Sequence, residues 1–338
     1  MGKSICCIAL AGIALATAAP AATLINGAGA TFPYPIYSKW FDEFHKKMPD
    51  IQINYQSIGS GGGIRQVQEG TVDFGATDGP MNDEQLQQAK TPILHLPTVL
   101  GAVVPTWNLP GIDQLKFTPA ALAGIFAGKI THWNDPALVK ENPGVALPNA
   151  AIIPVHRSDG SGTTFVFTDY LAKVSPEWKD KVGKGTSVNW PVGLGGKGNE
   201  GVSGLVKLTP NTIGYVELVY AIQTKLPIGA VQNQAGAFVT AALDSVTAAA
   251  AGVTIPDDFR VSITNSPNTT AYPIASFTWL LIPTTITDPV KGKAIKDFLV
   301  WMLADGQALA PGLNYAPLPP AVIEQERLAL IKIQVGGQ

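Results

Sequence analysis

The feature that most constrains this chain is the way its hydrophobic period keeps changing over short distances. Ile51 to Tyr55 alternates apolar and polar residues, as a strand does. Gly59-Ser60-Gly61-Gly62-Gly63 then breaks the run, and Ile64 to Glu69 takes up helical spacing closed by Gly70. Val72 to Ala76 is extended again. Further on, Leu94–Val104, Ala150–Val155, Ile213–Val216 and Trp279–Ile282 are apolar strand candidates. A long helical pattern starts at Thr163 and runs through Phe167, Tyr170 and Leu171, and another covers Pro319 to Gln334. Such alternation predicts an α/β fold with mainly parallel sheets flanked by helices. At 338 residues the chain has room for about two domains. Asn108-Leu109-Pro110-Gly111 and the polar stretch Asn265 to Pro273 are candidate crossings between them. A split at a single linker is the simpler alternative.

The first residues read as an export signal. Lys3 precedes an apolar run from Ile5 to Ala19, followed by small residues with A-x-A patterns at Ala16–Ala18 and Ala19–Ala21. The run is shorter than the ~20 residues that span a bilayer. Cleavage is expected between Ala18 and Thr23, with residues 1–22 as the signal peptide. The only cysteines, Cys6 and Cys7, lie inside that segment and precede most of the apolar run, so a lipid anchor at the cleavage point is not expected. An exported chain without thiols must rest on its core and not on disulfides. Loss of Lys3 takes the formal charge from -2 to -3. A weakly acidic chain lacks the clustered Lys and Arg that a nucleic-acid binder needs.

Four segments place small or hydroxyl residues in glycine-rich turns, mostly ahead of helical patterns. They are Gly27-Ala28-Gly29-Ala30-Thr31-Phe32, Gly59 to Gly63, Ala76-Thr77-Asp78-Gly79 and Arg157-Ser158-Asp159-Gly160-Ser161-Gly162-Thr163-Thr164. Glycine lets backbone approach a ligand, and a helix N-terminus offers free N–H groups with partial positive charge. Together these make an anion site. Taken singly, each such turn reads first as ordinary capping; it is three of them, with an arginine in the fourth, that argue for an anion site. Arg157 can grip two oxygens of an oxyanion with its fork, or pair with Asp159. Asp78 should repel an anion unless the anion carries a proton that the carboxylate can accept. Phosphate near neutral pH has that proton and sulfate has none, so an acid at this place selects phosphate by penalising sulfate.

Other patterns are weaker. Gly196-Lys197-Gly198-Asn199-Glu200-Gly201 fits G-x-G-x-x-G but does not clearly follow a strand, which argues against a dinucleotide site. His45, His95, His132 and His156 have no metal-ligand spacing. Ser60 and Ser161 are not in G-x-S-x-G elbows, and His156 has no clear nucleophile to serve. No cofactor or catalytic residue is expected.

The sequence as a whole resembles the substrate-binding protein of the bacterial high-affinity phosphate ABC transporter. The resemblance is carried by GAGATFPYPIYSKW (Gly27–Trp40), YQSIGSGGGIRQ (Tyr55–Gln66), VDFGATDGPM (Val72–Met81) and GKITHWND (Gly128–Asp135). It continues in RSDGSGTTFVFTDYLAKV (Arg157–Val174), WPVGLGGKGNEGV (Trp190–Val202), IGYVEL (Ile213–Leu218) and NYAPLP (Asn314–Pro319). It is thinnest between Leu226 and Thr270, and Gly61 stands where some relatives have Ser. The resemblance implies a two-lobed periplasmic binding protein fold of type II, with lobe I from 23–108 plus 273–338, lobe II from 109–272, and the ligand cleft between them. It implies phosphate contacts at Thr31, Phe32 (through its backbone N–H), Ser60, Asp78, Arg157, Ser161, Gly162 and Thr163. Asp159 corresponds to the acid that orients the arginine, and Asp78 to the acceptor of the phosphate proton. Implied partners are an ABC permease and ATPase in the inner membrane, with the protein a periplasmic monomer. A secreted phosphatase, a binder of another oxyanion such as sulfate, and a surface protein that scavenges phosphate without a permease are the alternatives.

Overall fold

The computed structural model describes residues 22–336, so the signal-peptide expectation falls almost wholly outside the described residues. The strands are β1 (Thr23–Gly29), β2 (Ile51–Ser57), β3 (Phe74–Thr77), β4 (Ile93–Trp107), β5 (Lys116–Phe117), β6 (Ile153–Arg157) and β7 (Leu194–Gly196). They continue with β8 (Thr212–Glu217), β9 (Ala230–Gln232), β10 (Phe238–Val239), β11 (Ala275–Pro283), β12 (Thr285–Ile286) and β13 (Gln334–Val335). Eight of them form one sheet in the order β2-β1-β3-β11-β4-β8-β6-β7. Two small sheets, β10-β9-β5 and β12-β13, lie apart from it.

The large sheet is parallel only on its flanks. β1 runs parallel to β2 and β3, and β6 runs parallel to β7 and β8. The three central pairings, β3–β11, β11–β4 and β4–β8, are antiparallel. The expectation of mainly parallel sheets therefore holds for each flank and not for the middle. Parallel neighbours need a crossover, which the intervening helices supply. The central strands are instead long segments that carry the chain from one flank to the other.

β4 is the clearest such segment. All 15 of its residues are buried. Its Ile93–Ala102 portion pairs with β11, and its Val103–Trp107 portion pairs with β8. A strand buried on both faces reads as a continuous apolar run and not as an alternation, which is why Leu94–Val104 shows no period. The β11 register slips between Thr278 and Trp279, leaving Thr98 of β4 over. Such a bulge re-aims nearby side chains. The Thr98 hydroxyl spans it, donating to the Thr278 carbonyl at 3.1 Å.

Aromatic side chains fill the core. Trp40, Trp107, Trp133, Trp178 and Trp279 are fully buried. Tyr37, Phe41, Phe44 and Phe298 pack one flank, while Phe126, Phe167 and Tyr215 pack the other. Fully burying each such ring is worth ~2–3 kcal/mol, so a core of this size stabilises the chain without a cross-link.

Candidate functional site

The four glycine-rich segments meet at the carboxyl ends of the flanking strands, where open α/β sheets place their ligands. β1 ends at Gly29, whose φ of +148° brings its backbone against Ala76. A β-carbon at Gly29 would collide with that backbone. Thr31 and Phe32 follow, and the next helix starts only at Tyr34. The helix Ser60–Glu69 opens beyond β2 with no side-chain cap on its first turn. Asp78 follows directly on β3. Arg157 is the last residue of β6, and the helix Gly162–Val174 opens just beyond it. Ser60 on one side and Ser161, Gly162 and Thr163 on the other thus stand at helix N-termini. Thr31 and Asp78 reach the site from strand ends instead, because their turns continue for several residues before the next helix begins.

Gly162 shows how closely the two sides approach. A β-carbon there would collide with Asp78 Oδ2, Ser60 Oγ and the Asp78 amide. Gly61 donates its N–H to the Gly160 carbonyl at 2.9 Å, joining the two glycine turns directly. The sequence marks Gly162 as an implied ligand contact and Gly61 as one residue of a glycine-rich turn, without showing that they bring the two sides together. The structure needs their missing side chains for the approach itself.

The arginine is held in place by its neighbour. Arg157 donates from Nε to Asp159 Oδ1 at 2.7 Å and from Nη2 to Asp159 Oδ2 at 2.5 Å. Asp159 Oδ1 also accepts the Gly198 N–H at 3.0 Å. Burial alone would raise the Asp159 carboxyl, but the hydrogen bonds and charge of Arg157 outweigh it and hold it below the usual carboxylate range. The remaining guanidinium nitrogen, Nη1, donates to the Thr163 hydroxyl at 3.3 Å. The alternatives of anion grip and Asp159 pair are therefore compatible, since the pair uses one edge of the fork and leaves the other turned toward Thr163.

Asp78 is the opposite case. It is 1% exposed and forms no ion pair among the described residues. Its Oδ1 accepts the Thr278 hydroxyl at 2.9 Å. Its Oδ2 has no hydrogen-bond partner among the described residues. Burial pushes its carboxyl up to about 7, against the pull of the Thr278 hydroxyl and the Arg157 charge. A carboxyl so placed holds or yields a proton near neutral pH.

Ser161 caps its helix, accepting the Thr164 N–H at 3.0 Å, and its own N–H goes to the Thr186 carbonyl at 2.7 Å. Its hydroxyl proton is what it has left to offer. The Phe32 ring is core, and its carbonyl takes the Tyr315 hydroxyl at 2.6 Å. Thr31 Oγ1 accepts the Asn199 side-chain amide at 2.8 Å. All nine residues singled out from the sequence lie around this one cleft.

Several of their supports carry no signal in the sequence. Thr278, Tyr315 and Asn199 come from distant segments. Asn199 lies in the motif Gly196 to Gly201 and Tyr315 in the family segment Asn314–Pro319, but neither motif points to the contact made. The Gly196 to Gly201 motif does follow a strand, β7, and opens the helix Gly198–Leu208, so the premise used against a dinucleotide site fails. The dinucleotide reading fails for another reason, because the Gly198 N–H that should face a pyrophosphate is taken by Asp159. His156 stacks on Trp190 with ring centroids 4.8 Å apart, and its Nδ1 lies 3.0 Å from the Arg157 carbonyl. No group of three or more potential metal ligands occurs among the described residues.

A two-flanked α/β sheet with an anion-suited cleft at its strand ends defines a ligand-binding protein of the periplasmic binding protein type. The PBP superfamily domain matches residues 16–306. The phosphate-binding protein PstS of Pasteurella multocida is 48% identical over 308 residues, covering 90% of this chain and 89% of its own. That of Xylella fastidiosa is 47% identical over 305 residues, covering 89% and 83%. A phosphate-binding protein from Stenotrophomonas maltophilia shares the fold at a TM-score of 0.71 and 17% identity, over 90% of this chain and 93% of that one. This chain belongs to the PstS family of phosphate-binding proteins.

Proposed function

We propose that this protein captures inorganic phosphate between two lobes and delivers it to an ABC-type permease, with no chemistry of its own. The observation that carries the reading is Asp78. It is a buried carboxyl with one oxygen held by Thr278 and the other facing Ser60 and Gly162 without a partner among the described residues. Beside a bound anion, that oxygen is satisfied only by a proton shared with the ligand. Phosphate brings one near neutral pH. Sulfate brings none, so it either sets its lone pairs against those of the ionised Asp78, which costs more than a missing contact, or requires Asp78 to take up a proton first.

The remaining contacts in this reading are those the family resemblance implies. Thr31, Ser60, Ser161 and Thr163 supply hydroxyls, Phe32 and Gly162 supply backbone N–H groups, and Arg157, oriented by Asp159, supplies the charge. Lobe I comprises 23–108 with 273–338 and lobe II comprises 109–272. The change of partner along β4 and the return of the chain through β11 support this division. Phosphate favours the closed arrangement because only that arrangement completes the donor set. The protein is a periplasmic monomer, exported by residues 1–22 and not lipid-anchored. Among the described residues no helix is long and apolar enough to cross a membrane. Its partners are the permease and ATPase of the inner membrane.

Calorimetric titration of phosphate-stripped protein near neutral pH tests the reading. One-to-one phosphate binding with no sulfate signal is expected. Equal binding of both anions would remove the role of Asp78, and binding of neither would return the turns to plain helix caps. Incubation with a chromogenic phosphate ester should release no product, and turnover would favour the phosphatase alternative.

A further inference from the structure

The geometry points to Asn199 as a positioning residue that fixes which way the site's threonine hydroxyls point. The inference rests on the phosphate-capture reading and deepens it. Asn199 is fully buried. Its side-chain NH2 donates to Thr31 Oγ1 at 2.8 Å and to Thr163 Oγ1 at 3.1 Å. Its Oδ1 accepts the Glu217 backbone N–H at 2.9 Å. That last bond sets the orientation of the amide, since a flipped group would turn its NH2 onto the Glu217 N–H.

A threonine hydroxyl has one proton and two lone pairs. On Thr31 the lone pairs are met by the Asn199 side chain and, at 3.4 Å, by the Asn199 backbone N–H. On Thr163 they are met by Asn199 and, at 3.3 Å, by Arg157 Nη1. No acceptor among the described residues takes either hydroxyl proton. Both hydroxyls therefore have only a proton left to give, and the cleft receives two more oriented donors. Thr31 belongs to the proposed lobe I and Asn199 and Thr163 to the proposed lobe II, so closure is what completes the arrangement. Asn199 then acts on the anion through two other residues.

The test is phosphate titration of wild type, Asn199→Ala and Asn199→Asp, with Thr31→Val and Thr163→Val as partners in a mutant cycle. Two lost hydrogen bonds predict a Kd about 10- to 100-fold higher for Asn199→Ala. Asn199→Asp has the same shape but accepts the hydroxyl protons, so it should bind worse than the alanine variant near neutral pH. That gap should narrow as pH falls and the new carboxyl gains a proton. In the background of both Thr→Val changes, Asn199→Ala should cost little more, because its targets are gone. A Kd within twofold of wild type for Asn199→Ala, or an undiminished cost in the double-valine background, overturns the inference. Should the alanine variant not fold, the isosteric aspartate decides, and wild-type affinity at neutral pH overturns it. Wild-type protein that binds no phosphate would overturn both this and the capture reading, whereas wild-type binding with unaffected Asn199 variants overturns this alone.

Discussion

The two carboxyls of the cleft, Asp78 and Asp159, lie on facing sides of one site and are held in opposite states. Asp159 is gripped along both oxygens by Arg157 and by the Gly198 N–H, and is kept ionised below its usual range despite partial burial. Asp78 is buried with a single hydroxyl partner and is pushed up to about 7. One side of the site is therefore built to present positive charge, and the other to negotiate over one proton. The difference teaches that a carboxylate near an anion site is read by its partners and not by its charge. Asp159 belongs to the arginine, and Asp78 keeps the free oxygen that the proposed function gives to the ligand.

The comparison can be broken most forcefully on the arginine side. Arg157→Ala removes the charge and leaves Asp159 buried without its cation, a loss of ~3–5 kcal/mol for pairs of this kind. Phosphate affinity should fall at least ~1000-fold by calorimetry, and wild-type binding would remove the site assignment. Next comes Gly162→Ala, whose β-carbon would collide with both Asp78 Oδ2 and Ser60 Oγ. Holding the two sides apart should weaken binding about 100-fold. Small-angle scattering with phosphate should then show a less compact protein than wild type.

Asp78→Asn sharpens the contrast. It should weaken phosphate about 10-fold and narrow the gap between phosphate and sulfate, and unchanged selectivity would count against proton reading. It also carries a pH signature. Because the folded carboxyl titrates near 7 and an unfolded one near 3.8, the phosphate-free folded state binds the extra proton between those values. Its stability contribution is thus present at low pH and lost as pH rises toward 7, by something on the order of 4 kcal/mol. The melting temperature of Asp78→Asn relative to wild type should therefore climb from pH 4 to pH 7 and then level. Asp159 has the reverse sign, with stability present at neutral pH and lost on acidification below the usual carboxylate range.

The smallest expected effect is at Thr278. Thr278→Val removes the hydroxyl that most favours the Asp78 anion, with Ser60 the weaker second, so that carboxyl should titrate higher still. Phosphate affinity near neutral pH should drop about 5-fold, with the pH profile displaced upward. An unchanged profile would mean that Thr278 serves only the β11 bulge.

Strand and helix alternation was legible in the chain because the flanking strands and their helices are local and amphipathic. Ile51–Tyr55 lies within β2, and Gly70 closes its helix in the left-handed conformation at φ +66°. The glycine-rich turns that carry the nine candidate residues were legible too, since small, hydroxyl and charged residues there are conspicuous against an apolar background, whereas the assignment of individual contacts such as the Phe32 N–H rested on the family resemblance. The antiparallel centre was not. β4 is buried throughout and has no period to read, and its two successive partners, β11 and β8, are far away in the chain.

The sequence by itself determined the class of fold, the turns that bear the candidate ligand groups and the chemical oddity of Asp78, because these depend on residue type and short spacing. Only the tertiary structure decided the state of each group. It brought Thr278 to Asp78 across 200 positions and Asn199 to Thr31 across 168. It also set Asp159 against Arg157 with the Gly198 amide behind it. Proton affinity and hydroxyl direction are properties of a surrounding, and that surrounding exists only once distant segments have packed.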